Sequence, residues 1–160
     1  MSDNEFEQGD AGSSLTELAE AGRMKPGSLI MLKGEFPCKV TSFSTAKPGK
    51  HGSAKAMITG KDVFTDKQYE ETFGTGDMIP RPIIKKTEYT CISVDGDFLQ
   101  LMTPSGELKE DVKLPTEAHL GDIAKRINEI LEAASKECLV TVQSWGERQQ
   151  VVGAREGVDQ

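Results

Sequence analysis

In this 160-residue chain one stretch alone repeats its apolar residues at a helical period. Leu120, Ile123, Ile127, Ile130, Leu131 and Ala134 fall on one face there, and Thr116, just after Pro115, is the expected cap. Elsewhere the apolar runs are short, alternate with polar residues and stop at turn signals, which restricts the chain to small antiparallel barrels. In the first half, Leu29–Leu32 follows the turn Lys25–Ser28, and Gly34–Pro37 breaks it. Cys38, Val40 and Phe43 read as a short strand. Ala54, Ala56 and Ile58 alternate with Lys55, Met57 and Thr59 as the next strand, and Val63-Phe64 follows between two turns. In the second half, Tyr89–Val94 turns at Asp95-Gly96 into Phe98–Met102, and Pro104–Gly106 turns into Glu107–Val112. After the helix, Cys138, Val140 and Val142 mark a fourth strand and Gln149–Val152 a fifth. Three strands, a helix and two strands match the connectivity of an OB-fold. A hydrophobic share of 36% suits two small barrels better than one large core.

The expected organisation is an acidic flexible tail over residues 1–20, a first barrel over 21–82, an OB-fold barrel over 83–153, and a flexible tail over 154–160. Gly74 to Pro82 concentrates Gly and Pro and reads as a short, stiff linker near residue 83. Cys38, Cys91 and Cys138 lie far apart, forming neither a CxxC nor a disulfide framework, which suggests a reducing compartment. Cys38 and Cys91 alternate with apolar residues and read as small core fillers. With only His51 and His119 beside them, a zinc site of ordinary composition is not expected. No stretch reaches the roughly 18 apolar residues of a membrane helix, and no signal peptide is evident. The reading is a soluble, cytoplasmic protein with no membrane partner.

The net charge of -7 is unevenly distributed. Residues 1–23 carry Asp3, Glu5, Glu7, Asp10, Glu17 and Glu20 against Arg23, whereas residues 24–55 carry six lysines against Glu35, a balance of +5. Residues 83–160 are again acidic at -5. An acidic chain is not a nonspecific nucleic-acid binder, but one basic band remains. Inside that band lies the connection Ser44–Ser53, longer than an ordinary hairpin loop of two to five residues. Gly49 and Gly52 free the backbone on either side of Lys50 and His51, and Pro48 stiffens the approach. This composition makes a projecting tip that holds a lysine away from the barrel, or simply an exposed, tolerant loop. It is not a phosphate-cradling P-loop, because both the spacing and the following helix are missing.

The run Ser44-Thr45-Ala46-Lys47-Pro48-Gly49-Lys50-His51-Gly52-Ser53-Ala54-Lys55 closely resembles the modification loop of the hypusine-containing eukaryotic translation factor 5A family. Phe36–Val40, Asp62–Thr65 with Lys67–Glu70, and Ser105–Glu107 through Glu110-Asp111 to Leu114-Pro115 fit the same family in order, so the likeness covers about residues 20–150. Pro48 stands where many members have Thr, and Ser53 where many have His. The resemblance implies an SH3-like β-barrel followed by an OB-fold barrel with one helix. It implies that Lys50 is converted to hypusine with a spermidine-derived butylamine by deoxyhypusine synthase and then hydroxylase. The chain would then be a substrate of these enzymes and not a catalyst, with no cofactor and no metal of its own. Lys47, Pro48, Gly49, His51, Gly52, Ser53 and Lys55 would form the loop and contact RNA. The implied partners are the ribosome and peptidyl-tRNA, the implied role is promoting peptide-bond formation at stalled sequences and termination, and a homodimer stays open.

Two other classes compete. A self-assembling structural relative of the family lacks the loop lysine, and the intact Gly49–Gly52 tip argues against it. An unmodified single-strand RNA-binding OB module needs a basic, aromatic groove, yet Tyr89, Phe98 and Trp145 are the aromatics of an acidic second half. Lys85 and Lys86 read as a solvated pair, and Trp145 as a packed strand-end residue.

Overall fold

The computed structural model describes residues 15–47 and 54–159, which form two compact units dividing between Ile83 and Ile84. Both units are β-structures, and one α-helix is present among the described residues.

The first unit begins with β1 (Thr16–Glu20) and a 3-10 turn at Ala21–Arg23, followed by β2 (Leu29–Leu32), β3 (Phe36–Ala46), β4 (Lys55–Asp62), β5 (Gln68–Gly74) and β6 (Met78–Pro82). Strands β2-β3-β4-β5 form an antiparallel half-barrel, and β1 pairs with β6 in a separate two-stranded sheet. The alternation has the period of a sheet with one wet face: Ala56 and Ile58 are buried while Lys55 and Met57 are exposed. Ile30, Leu32, Cys38, Val40, Ala56, Ile58 and Ile79 meet in one core, joined by Phe36, Phe43, Tyr69 and Phe73 at its margins. Phe36 and Tyr69 stack with centroids 4.1 Å apart and planes 7° from parallel.

Two expectations are corrected by these strands. Thr16–Glu20 is a paired strand and not part of a flexible tail, and Met78–Pro82 is its partner rather than a linker. Ala19 opposite Ile79 supplies the inward face of that pair. Pro80 and Pro82 sit at alternate positions, where a two-stranded ribbon needs no N–H from them.

The second unit comprises β7 (Lys85–Asp95), β8 (Phe98–Met102), β9 (Leu108–Lys113), helix α1 (Ile123–Ala133), β10 (Lys136–Trp145) and β11 (Arg148–Asp159), with sheet order β11-β10-β7-β8-β9. Its core joins Leu99, Leu101, Val112, Val140, Val142 and Val151 with Ile127 and Ile130 of the helix. Gly96 and Gly106 have φ of 64° and 91°, the backbone that glycine adopts without a Cβ clash. Helix α1 starts later than Thr116 predicts. A 3-10 turn at Ala118–Leu120 ends at Gly121 with φ 51°, so Leu120 lies outside the helix and Asp122 takes the cap position without a side-chain cap bond. Ala134 closes the helix in the left-handed region at φ 53°. Residues 154–159 are not a tail either, for β11 pairs with β10 to Lys136↔Asp159. Arg155 helps fix this extension through two hydrogen bonds to Glu88, at 2.9 and 3.1 Å. Cys38 and Cys91 are buried, as core fillers should be, and Cys138 is buried too.

Candidate functional site: the base of the long hairpin loop

The long loop is carried by the β3–β4 hairpin. Its ladder runs from Cys38↔Asp62 to Ala46↔Lys55, with one bulge between Val40 and Ser42. Below the bulge β3 is anchored by Cys38 and Val40 in the core; beyond it, Ser44, Thr45 and Ala46 are exposed. A bulge of this kind increases the local twist of the hairpin. Lys47 and Lys55 are exposed on either side of the opening. Pro48, Gly49, Lys50, His51, Gly52 and Ser53 lie outside the described residues.

What holds this opening in place is a set of backbone contacts that residue types alone do not announce. The Thr75 N–H donates to the Ala54 carbonyl at 3.1 Å, tying the loop's exit to the end of β5. Thr75 in turn accepts from the Gly22 N–H at 2.8 Å, and the Asp77 carbonyl accepts from the Ala21 N–H at 2.8 Å. The Gly74 N–H donates to Asp77 Oδ2 at 2.8 Å, closing the turn. A Cβ on Gly22 would stand 2.9 Å from the Thr75 carbonyl oxygen, so this approach requires glycine. The one trace in the sequence is Gly74-Thr75-Gly76-Asp77, an Asp-closed turn.

At the far end of β4, Asp62 is 3% exposed and its Oδ1 accepts from the Phe64 N–H at 2.7 Å and the Thr65 N–H at 3.1 Å. Burial, helped by the Asp62 charge, pushes the Cys38 thiol up to about 12, so this cysteine is a packing group and not a nucleophile. On the outer face Lys39 stands directly opposite Lys61, both exposed. Like charges facing across a ladder cost stability. Together with Lys55 they extend the basic band along the wet side of the hairpin.

The second unit offers a different surface. A cavity of about 260 Å³ is lined by Asp111, Glu117 and Glu147 against Lys113, with Gln149 and Gln150 beside them. The buried Gln143 amide donates to Gln150 Oε1 at 3.0 Å, and Gln150 donates to Glu117 Oε2 at 3.4 Å. Burial alone would raise Glu117, but hydrogen bonds from its own and the Thr116 backbone and from Gln150, with the His119 charge, outweigh it and hold the carboxyl low. Lys109 sits 6.0 Å from the Tyr89 ring and Lys113 5.9 Å from the ring of Phe98, which is 40% exposed. Carboxylates dominate this cavity, and Trp145 is half-buried at the end of β10. Lys85 and Lys86 are exposed at the start of β7.

Two sequence-family descriptions match along the chain: "Translation initiation factor 5A-like, N-terminal" over residues 14–77, and "Eukaryotic elongation factor 5A hypusine, DNA-binding OB fold" over residues 83–155. The chain is 40% identical to a eukaryotic translation initiation factor 5A of Dictyostelium discoideum over 148 residues, covering 89% of each. It is likewise 40% identical to translation initiation factor 5A-2 of Saccharomyces cerevisiae over 124 residues, covering 76% of this chain and 78% of that one. Among solved structures, a translation initiation factor 5A family protein from Naegleria fowleri superposes with a TM-score of 0.80 at 34% identity, covering 88% of this chain and 99% of the other. A factor 5A from Methanococcus jannaschii shares the fold at TM-score 0.59 and 24% identity, over 91% and 95% of the two chains. A half-barrel bearing a long basic hairpin loop, followed by an OB-fold, is a two-part translation-factor architecture. The chain belongs to the translation factor 5A family.

Proposed function

We propose that this chain acts in translation through Lys50, converted to hypusine by deoxyhypusine synthase and deoxyhypusine hydroxylase with spermidine as the butylamine donor. The observation that supports it best is the base of the loop. Ladder pairing continues to Ala46↔Lys55, and Thr75 clamps Ala54 from the side, so both ends of the Lys50 segment leave a fixed frame. A lysine is a compact cation on a four-carbon stem, and an added aminobutyl unit roughly doubles its reach and brings a second cationic nitrogen. Carried beyond a fixed base, such an arm enters a narrow, phosphate-lined cleft.

The cleft in this reading lies in the ribosome beside the acceptor end of peptidyl-tRNA. The arm contacts the acceptor backbone and orders the tRNA end, so that the ester is held for attack; orientation of this kind is worth several kcal/mol of barrier. Lys47, His51 and Lys55 flank it on RNA phosphates, while Gly49 and Gly52 shape the tip. Contact concentrated at this tip agrees with the acidic second half, which limits nonspecific binding to RNA. The test is enzymatic labelling. With deoxyhypusine synthase and labelled spermidine, the full chain should take up label on the peptide containing Lys50 and on no other. A chain that takes up none, or takes it up elsewhere, overturns the assignment.

A further inference from the structure

We infer that Cys91 and Cys138 form a redox-responsive thiol pair in the OB-fold unit, a modification site for small peroxides. The two residues are direct partners in the β7–β10 ladder. Directly opposed residues of an antiparallel pair have Cα atoms about 4.5–5.5 Å apart, within the range of about 4.4–6.8 Å that a disulfide spans. They share the inward face, for Cys91 is 3% exposed and Cys138 1% exposed. Beside them the ladders are irregular: register shifts fall between Cys91 and Ser93 on the β8 side and between Lys136 and Cys138 on the β11 side. Such irregularities disrupt the ladder locally on either side of the pair.

Access and reactivity also fit. A cleft of about 290 Å³ is walled by Cys91, Ile130, Leu131 and Ala134 and rimmed by Ile92 and Lys136, which are exposed. A peroxide is small enough to enter it. The Cys91 thiol donates to the Ser93 carbonyl at 3.7 Å. The neighbouring Cys138 thiol, aided by burial, pushes Cys91 up, while Cys91 and the Arg126 charge bring Cys138 down against the opposing effect of burial.

The thiolate of one cysteine of the pair attacks a peroxide oxygen, the O–O bond breaks, and its sulfur, having lost two electrons, becomes a sulfenic acid as hydroxide leaves. The sulfur of the second cysteine then attacks the sulfenic sulfur. The S–S bond forms, the S–O bond breaks, and the hydroxyl departs as water with the proton of the second thiol. The hydroxide from the first step takes up the proton that the first thiol gave up at the start. Two thiols and one peroxide give one disulfide and two waters.

Cys38 supplies the internal control, for its ladder neighbours are Asp62 and Ile30 and no cysteine stands opposite it. The experiment exposes the folded full chain to hydrogen peroxide, then alkylates and digests it without reduction. The expected product joins the peptide of Cys91 to that of Cys138, lacks two hydrogens, leaves Cys38 alkylated, and reverts with dithiothreitol. Cys91→Ala abolishes the linked peptide. Three results overturn the inference: both thiols staying alkylatable, a link that involves Cys38, or a link that forms only when urea is present.

Discussion

Asp62→Ala tests the frame beneath the loop. The carboxylate closes the turn after β4 by accepting from two backbone N–H groups, at 2.7 and 3.1 Å, and it is 3% exposed. Hydrogen bonds to charged groups are worth about 1.5–3 kcal/mol each. The Phe64 N–H is buried and loses a charged acceptor, whereas the Thr65 N–H, part-buried, can turn to water. The expected loss is therefore about 2–4 kcal/mol in the first unit. Hydrogen exchange of the β3–β4–β5 ladder should accelerate roughly 30- to 700-fold, at about 1.4 kcal/mol per factor of ten. Asp62→Asn, which keeps an acceptor oxygen, should lose roughly half as much. Fluorescence of Trp145, the single tryptophan and a residue of the other unit, gives the reference transition. An alanine variant within about 0.5 kcal/mol of the parent, or an asparagine variant as damaged as the alanine one, would refute this account of the turn.

The other perturbations act in the second unit. Leu101→Ala removes a fully buried side chain from its core and should cost about 3–5 kcal/mol, read from denaturant unfolding followed by Trp145 fluorescence; a cost below about 1 kcal/mol contradicts the close packing of Leu101 in that core. Asp111 and Glu117 are both held below their ordinary values, Asp111 chiefly by Lys109 at 2.9 Å and then by Gln149. Carboxyls held low in the fold stabilise it above the ordinary carboxylate range, and that contribution is lost as pH falls through their lowered values. Lys109→Met with Glu117→Gln should flatten the acid limb of the stability curve, and an unchanged slope counts against both contacts.

Alternation and turn chemistry made most of the barrels readable. Asp95-Gly96 marks a hairpin because Gly96 takes φ 64°, and Ala56 and Ile58 declare an inward face by spacing alone. What escaped were elements whose local composition opposes their tertiary role. Thr16–Glu20 is short, acidic and stable only against β6, and β6 carries two prolines that suggest a linker until a two-stranded ribbon is known to be there. The polar run after Gly153 becomes strand because β10 offers it partners and Arg155 reaches Glu88. Thr116 offered cap chemistry, yet Gly121 interposes a break whose position residue type alone does not set. For the site, the hairpin that carries the loop was legible through the alternation of Ala54, Ala56 and Ile58. Its clamp, from Gly22 to Thr75 to Ala54, was not, because backbone carbonyls leave no trace in residue identity.

In the proposed role Lys50, lengthened by modification, orders the peptidyl-tRNA end. Its most direct test is reconstituted translation of a message with consecutive prolines, comparing the modified chain, the unmodified chain and Lys50→Arg. The account predicts that the modified chain speeds passage through the prolines by about tenfold or more, and that the other two do not. A Lys50→Arg chain that relieves the stall as well as the modified one would contradict it.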